Sequence, residues 1–199
     1  MALGYILGKA TSRSLNVNLN IPLILVASVI SDIDLLIPGL EHRGLTHSLV
    51  FIFLAFLPAF LVYRKKVAPY FVAVVQHSIP GDYISGEGIQ LLWPLDARWL
   101  AMGIGIELVS FANFFFEWSL FLMFIAIMFW TKDVKILFQH HLSNMLLLIP
   151  ILTVLLPTLL SFPLSVPLEL VVPHVIYLAL FAFSILIDFR HTISARTTL

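Results

Sequence analysis

The sequence predicts an all-α protein, a polytopic transmembrane helical bundle of about five to six spans. Three observations predict it. The 199-residue chain is 60% hydrophobic and 11% charged, with a mean hydropathy of +1.03, whereas a soluble domain carries about 25% charged residues. Apolar runs of helical length recur from one end to the other. The basic residues sort onto one side of the topology that these runs imply, as membrane insertion requires. The 11 basic and 11 acidic residues cancel, so nothing suggests a nucleic-acid partner. The chain has no cysteine, which removes disulfides, thiolate metal sites and cysteine nucleophiles. Residues 1–199 read as a single membrane domain. Residues 1–100 carry the polar motifs, and 101–199 supply further helices.

Met1–Leu19 starts apolar and turns polar and weakly basic, which suits the membrane surface. Its apolar run, Met1–Gly8, is short, lacks a basic start and is followed by Lys9 and Arg13, unlike a cleavable signal. Ile21–Ile37 is the first candidate span, short and crowded with polar groups in its second half, so a partly re-entrant course is open. Ser48–Tyr63 is the second, ended by Arg64-Lys65-Lys66, and Val67–Ile79 the third, ended by Pro80-Gly81. Ile84–Leu108 reads as a loop with a short interfacial helix, because Trp93 and Trp99 suit headgroup level. Leu108–Trp130 is the fourth span and Thr131–His141 a polar connection. Leu142–Phe162 is the fifth, with Pro150 and Pro157 expected to bend it. Leu168–Phe189 is the sixth.

With the N-terminus in the cytoplasm and all six segments crossing, Lys9, Arg13, Arg64, Lys65, Lys66, Lys132, Lys135, Arg190 and Arg196 lie inside. Only Arg43 and Arg98 lie outside, nine against two. Both termini are then cytoplasmic, and the stretch from Asp32 to His47 and the end of the third span meet at the outer face.

That stretch concentrates the chemistry. Residues 31–48 hold Asp32, Asp34, Glu41, His42, Arg43 and His47 in a chain that is otherwise mostly apolar. Carboxylate and imidazole are ligands for divalent metals, and charged groups beside a bilayer are costly unless paired or bound to an ion. On a continuous helix Asp32 and Asp34 would point about 200° apart, and His42 and His47 about 140° apart. Both pairs therefore fit a helix end that runs into a loop, with Pro38-Gly39 and Gly44 as breaks. Asp-x-Asp alone would be no more than a polar cap. The second constellation is Gln76-His77-Ser78-Ile79-Pro80-Gly81-Asp82. His77 and Asp82 would diverge on a regular helix, so a turn at Pro80-Gly81 is expected to fold Asp82 back.

Asp32-Ile33-Asp34, His42-Arg43-Gly44-Leu45-Thr46-His47-Ser48, His77 with Asp82, and Gly88-Ile89-Gln90-Leu91-Leu92-Trp93-Pro94 together resemble the membrane-bound metal-dependent hydrolases of the YdjM type. The resemblance covers most of the first hundred residues. That family is thought to be distantly similar to zinc-dependent phospholipase C and P1-type nucleases, so the resemblance implies phosphoester hydrolysis at a His/Asp metal cluster. Two departures stand out. Many members of that family carry a histidine near the N-terminus, and Met1–Asn20 has none; many also space the later His and Asp by four residues rather than five. One or two metals fit these residues better than three.

The expected metal ligands are Asp32, Asp34, His42, His47, His77 and Asp82, holding a divalent metal, zinc first and Mn or Fe as alternatives. Arg43 and Asp34 are the catalytic candidates. Arg43 offers a planar fork to a phosphate, or it pairs with Glu41 or an aspartate. Thr46 and Ser48 are expected to cap the second span. Glu87 is an extra ligand or a solvated loop residue. Glu117, inside the fourth span, is functional or a protonated hydrogen-bonding group. Glu107, Glu169 and His174 fall at the same face as the site. His140 and His141 fall on the other face, and Asp188 is expected to pair with Arg190 or an adjacent helix end.

The expected function is metal-dependent hydrolysis of an amphiphilic phosphoester, such as a phospholipid or lipid-linked phosphate, at the outer face of the cell membrane. The rivals are a metal-ion or proton-coupled transporter and a metal-stapled protein without catalysis. Transport sites favour the midplane between repeats, and no repeat is visible. His-Glu-x-x-His is absent, which argues against a zinc protease.

Overall fold

The computed structural model describes residues 1–84, 86, 88–102, 110–160 and 167–197. Among them every regular element is a helix, and a single antiparallel bridge pairs Ile89 with Leu100. Among the described residues two helices are long and apolar enough to cross a membrane, α5 (Phe111–Trp130) and residues Leu168–His191 of α8 (Leu168–Thr197). The other apolar segments are shorter.

Helix α1 (Ala2–Leu15) corrects the expectation of a surface segment. Tyr5 is fully buried, and the helix packs chiefly on α4 (Ala68–Gln76), and also on α2 (Ile21–Ala27) and α5. The reason is Gly4-x-x-x-Gly8. A β-carbon on Gly4 would stand 2.4 Å from Ser28 Cβ, and one on Gly8 2.5 Å from Ile24 Cδ1. Two glycines one turn apart let helix backbones approach closely. The polar side of α1 is fixed by a later residue: Asp133 Oδ2 accepts from Tyr5 Oη at 2.6 Å and from Lys9 Nζ at 2.5 Å.

The first expected span is broken. Asn20 caps α2 through Leu23 N, and after Ala27 the chain continues as a 3-10 helix over Ile30–Leu36. Helix α3 (Leu49–Tyr63) is capped by Ser48, whose Oγ accepts from Phe51 N, as expected. Thr46 is not a cap; it lies in the 3-10 turn Leu45–His47 and bonds elsewhere. Arg64–Val67 turns the chain into α4.

Pro80-Gly81 does not end the third helix. The chain continues as a π-helix over His77–Ile84, whose wider turn carries a residue that lacks an N–H. Within residues 88–102 there is no interfacial helix. Instead Ile89 and Leu100 exchange backbone hydrogen bonds and close a loop. The loop docks on the polar stretch, with Gln90 N donating to Arg43 O, Leu49 N to Leu91 O, and Ser48 Oγ to Trp93 O at 2.6 Å.

After α5 come α6 (Val134–Leu137), a 3-10 helix over Leu142–Leu147 and α7 (Leu148–Leu160). Pro150 sits in the first turn of α7, where a missing N–H is tolerated. Asp188 pairs with His140 Nδ1 at 2.8 Å and accepts from His141 N. An edge-to-face chain of rings ties the bundle together: Tyr5 on Phe124 with centroids 5.0 Å apart, and Phe124 on Tyr177 at 5.2 Å. Such pairs add about 0.5–1.5 kcal/mol beyond area burial. Phe111, Phe115 and Phe116 are exposed on the outer side of α5.

Candidate metal centre

Three segments meet at one end of the short helices. The 3-10 helix brings Asp32 and Asp34, the turn before α3 brings His47, and the π-helix brings His77 and Asp82. His47 is fully buried, and Asp34 and Asp82 are nearly so.

Four atoms converge. His77 Nε2 lies 3.0 Å from Asp32 Oδ1 and 3.5 Å from Asp82 Oδ2. His47 Nε2 lies 3.5 Å from each of the same two oxygens. His47 Nε2 and Asp82 Oδ2 are buried, and neither makes a hydrogen bond among the described residues. Such groups are costly to bury without a partner. A tetrahedral site with bonds of about 2.0–2.2 Å has edges of roughly 3.3–3.6 Å. Three of the four separations, at 3.5 Å, fall in that range and the His77–Asp32 pair, at 3.0 Å, is closer; two imidazoles with two carboxylates are a donor set suited to zinc-like ions. Asp32, His47 and His77 together satisfy the proximity that a bound ion needs.

The other face of the His47 ring is held differently. Its Nδ1 lies 3.3 Å from Asp34 Oδ2 and 3.1 Å from Thr46 Oγ1. Thr46 Oγ1 donates to the same Asp34 oxygen at 2.8 Å, so it accepts from His47. That places a proton on Nδ1 and turns Nε2, the atom that either a second proton or an ion would occupy, toward Asp32 and Asp82. Asp34 also accepts from Arg43 N, and its second oxygen meets His42 Nδ1 at 3.1 Å. Asp34, His42 and His47 form a second group with ligand atoms close together. In this arrangement Asp34 and His42 stand behind His47, the usual place of a carboxylate that orients a metal-bound imidazole. Burial disfavours a charge on His47, but the carboxylates of Asp32 and Asp34 on either side of its ring, with the charge of Asp82 behind them, outweigh that and push its pKa up to about 9.

Arg43 turns inward. Its backbone adopts a φ of 64°, and its Nε lies 3.2 Å from Asp82 Oδ1, while Glu41 is exposed. A cavity of about 200 Å³ adjoins the cluster, with Asp32 and His77 on one wall and Glu117 of α5 and His174 of α8 on another. His174 Nδ1 is bonded to Leu170 O at 2.6 Å, so that nitrogen carries the proton. The topology read from the sequence puts His174 at the same face as the site, whereas Glu117 is marked only by its polarity inside an apolar segment. Glu169 is exposed and does not line the cavity, though its carbonyl accepts from Trp118 Nε1. The expectations for Glu87 and Glu107 lie outside the described residues.

No curated protein and no solved structure matches the chain. The family model described as YdjM inner membrane protein matches residues 1–162, which include the whole polar stretch, the π-helix and the loop that docks on them. With most of its length so matched, the chain belongs to the YdjM inner membrane protein family.

Proposed function

We propose that this protein is a membrane-embedded, metal-dependent hydrolase acting on an amphiphilic phosphoester, such as a phospholipid or lipid-linked phosphate. The observation that carries this reading is the convergence of His47 Nε2, His77 Nε2, Asp32 Oδ1 and Asp82 Oδ2 at 3.0–3.5 Å, two of them buried without hydrogen bonds.

Asp32, His47, His77 and Asp82 hold one divalent ion, zinc by donor chemistry, with Mn or Fe compatible. Asp34 fixes the tautomer and orientation of His47, and His42 and Thr46 fix Asp34. A divalent ion held there supplies a Lewis acid and an acidified water. Arg43 positions Asp82 and places a guanidinium, the group best shaped for a phosphate, beside the centre. Glu117 and His174 line the chamber that adjoins it.

The chain crosses the bilayer about five to six times, α5 and α8 in full and the shorter helices together with their flanking turns. Both termini and the Arg64–Lys66 turn face the cytoplasm, and the centre faces outward at headgroup depth. A phosphoester whose tail stays in the bilayer reaches such a site directly.

The test is metal analysis of the purified chain, followed by a screen of phosphoester lipids with the metal-loaded protein. Hydrolysis that disappears in Asp82→Asn along with the metal supports the reading. Bound metal without turnover of any phosphoester, together with divalent-ion flux into proteoliposomes, replaces it with a transporter. Metal without either activity leaves a structural staple.

A further inference from the structure

A second cavity lies away from the metal centre. It measures about 650 Å³ and sits between α2, α3 and α4. Val26, Ala27, Ile30, Phe56, Ala59 and Val74 line its apolar body. Ala27 and Ala59 are the small residues that leave the space. The polar groups gather at one end: Asn18, Tyr63, Tyr70 and Lys66, where Arg64–Val67 turns the chain from α3 into α4. From Phe56 to Tyr63 the crevice follows roughly 10 Å of helix.

Lys66 has no carboxylate partner among the described residues, whereas the neighbouring Lys65 donates to Leu15 O. A cation at the mouth of an elongated apolar crevice has the shape and polarity of one kind of ligand, an anion with a hydrocarbon tail. In a bilayer the abundant molecule of that chemistry is an anionic phospholipid.

We infer that the crevice binds one acyl chain of an anionic phospholipid, with its phosphate at Lys66 and its tail between α2, α3 and α4. The lipid comes from the leaflet that meets the Arg64–Lys66 turn. It is a resident ligand and not the substrate: α4 separates Lys66 from His77 by roughly 14 Å of helix, so a phosphate held at Lys66 is out of reach of the metal centre. The inference stands whether or not the protein hydrolyses anything. Since a tail is as apolar in the bilayer as in the crevice, selectivity comes from Lys66, and one basic residue at the headgroup surface corresponds to about a fivefold preference.

Native mass spectrometry of the delipidated full chain tests this, with phosphatidylglycerol as the anionic probe and phosphatidylethanolamine as the zwitterionic one. The wild type is expected to retain one phosphatidylglycerol per chain after the detergent is removed. Ala59→Trp, which fills the crevice, is expected to lose it. Lys66→Gln, at the exposed rim, is expected to lower the preference for phosphatidylglycerol about fivefold. A wild type that retains no lipid, or a folded Ala59→Trp that retains as much as wild type, overturns the inference. So does an unchanged preference in Lys66→Gln, which decides the matter alone should Ala59→Trp fail to fold. A second copy of the chain covering the crevice would show as a dimer that Ala59→Trp dissociates without changing lipid content, and that too overturns it.

Discussion

His77 Nε2 and Asp82 Oδ2 lie 3.5 Å apart although the residues are five apart in sequence, because the helix that carries them is a π-helix. On an α-helix the same two residues would point about 140° apart. Bonding from i to i+5 instead stacks residues five apart on one side, and such turns recur at functional sites. The five-residue spacing thus reaches the juxtaposition that four residues reach on an ordinary helix.

Deleting Ile79 should therefore be tolerated better than lengthening the segment. With one residue removed, the pair is four apart and an α-helix brings the two together. Inserting an alanine after Ile79 separates them on either helix type. Metal affinity, measured by chelator competition, is expected to survive the deletion within about tenfold and to fall at least 100-fold on insertion, beyond the 10- to 100-fold cost of losing an outer partner. Equal losses in both variants would show that the π-turn does not set the geometry.

Asp34→Asn keeps the shape of the side chain but removes the charge that faces His47 Nδ1. Loss of such an orienting carboxylate typically costs 10- to 100-fold in metal affinity. The variant should weaken the metal by that range while Asp82→Asn, which alters a direct donor, weakens it more. The same titration with Zn²⁺ compares the two. Asp34→Asn exceeding Asp82→Asn would place the metal on the Asp34 side of the ring.

Arg43→Ala releases Asp82 Oδ1 from its ion pair. Metal affinity should fall modestly, by about tenfold, as for loss of an outer partner. Phosphoester turnover at saturating metal should fall further, by about 100- to 1000-fold, as when one transition-state donor is removed. If saturating metal restores full turnover, the arginine acts only through Asp82.

The proton and the metal compete for His47 Nε2. Its pKa is raised from 6.5 to about 9, so without metal the charged imidazole contributes stability that is fully present below pH 6.5 and is lost as the pH rises through about 9. The melting temperature of the metal-stripped protein in detergent is expected to drop across that window. Over the same window metal affinity should rise, approaching tenfold per pH unit, because binding releases the proton. His47→Gln should flatten both profiles. Their persistence would assign them to another group.

The absence of cysteine makes the topology testable with single introduced ones. Lys65→Cys is expected to resist a membrane-impermeant maleimide in intact cells, while Arg98→Cys is expected to react. The opposite pattern inverts the orientation.

Much of this was legible in the sequence for physical reasons. Polar groups in an apolar chain must find partners, so Asp32, His47, His77 and Asp82 had few places to go but to one another. The burial of α1 was also written there, in Gly4-x-x-x-Gly8, although its polar second half reads as a surface segment. Other features depended on the folded structure. Spacing does not show which nitrogen of His47 faces Asp34 and which faces Asp32. A helix widens to a π-turn because of what packs around it, and the local sequence reads only as a Pro-Gly break. Glu117 and His174 reach the centre's cavity through packing of α5 and α8, which no local pattern records. The helical class follows from composition, whereas among the described residues two helices, rather than five or six, have the length to cross a bilayer unaided.

The carboxylate of Asp133 that holds Tyr5 and Lys9 has a consequence for biosynthesis. Its partner Tyr5 leaves the ribosome 128 residues earlier. At about 5–20 residues per second, α1 waits roughly 6–26 s for that anchor. Helix α1 also packs on α2, just ahead of Asp32, and on α4, just ahead of His77. The apolar side of α1 can thus dock on α2 and α4 as soon as they are made, whereas its polar side is completed only after the middle of the chain has been delivered to the membrane.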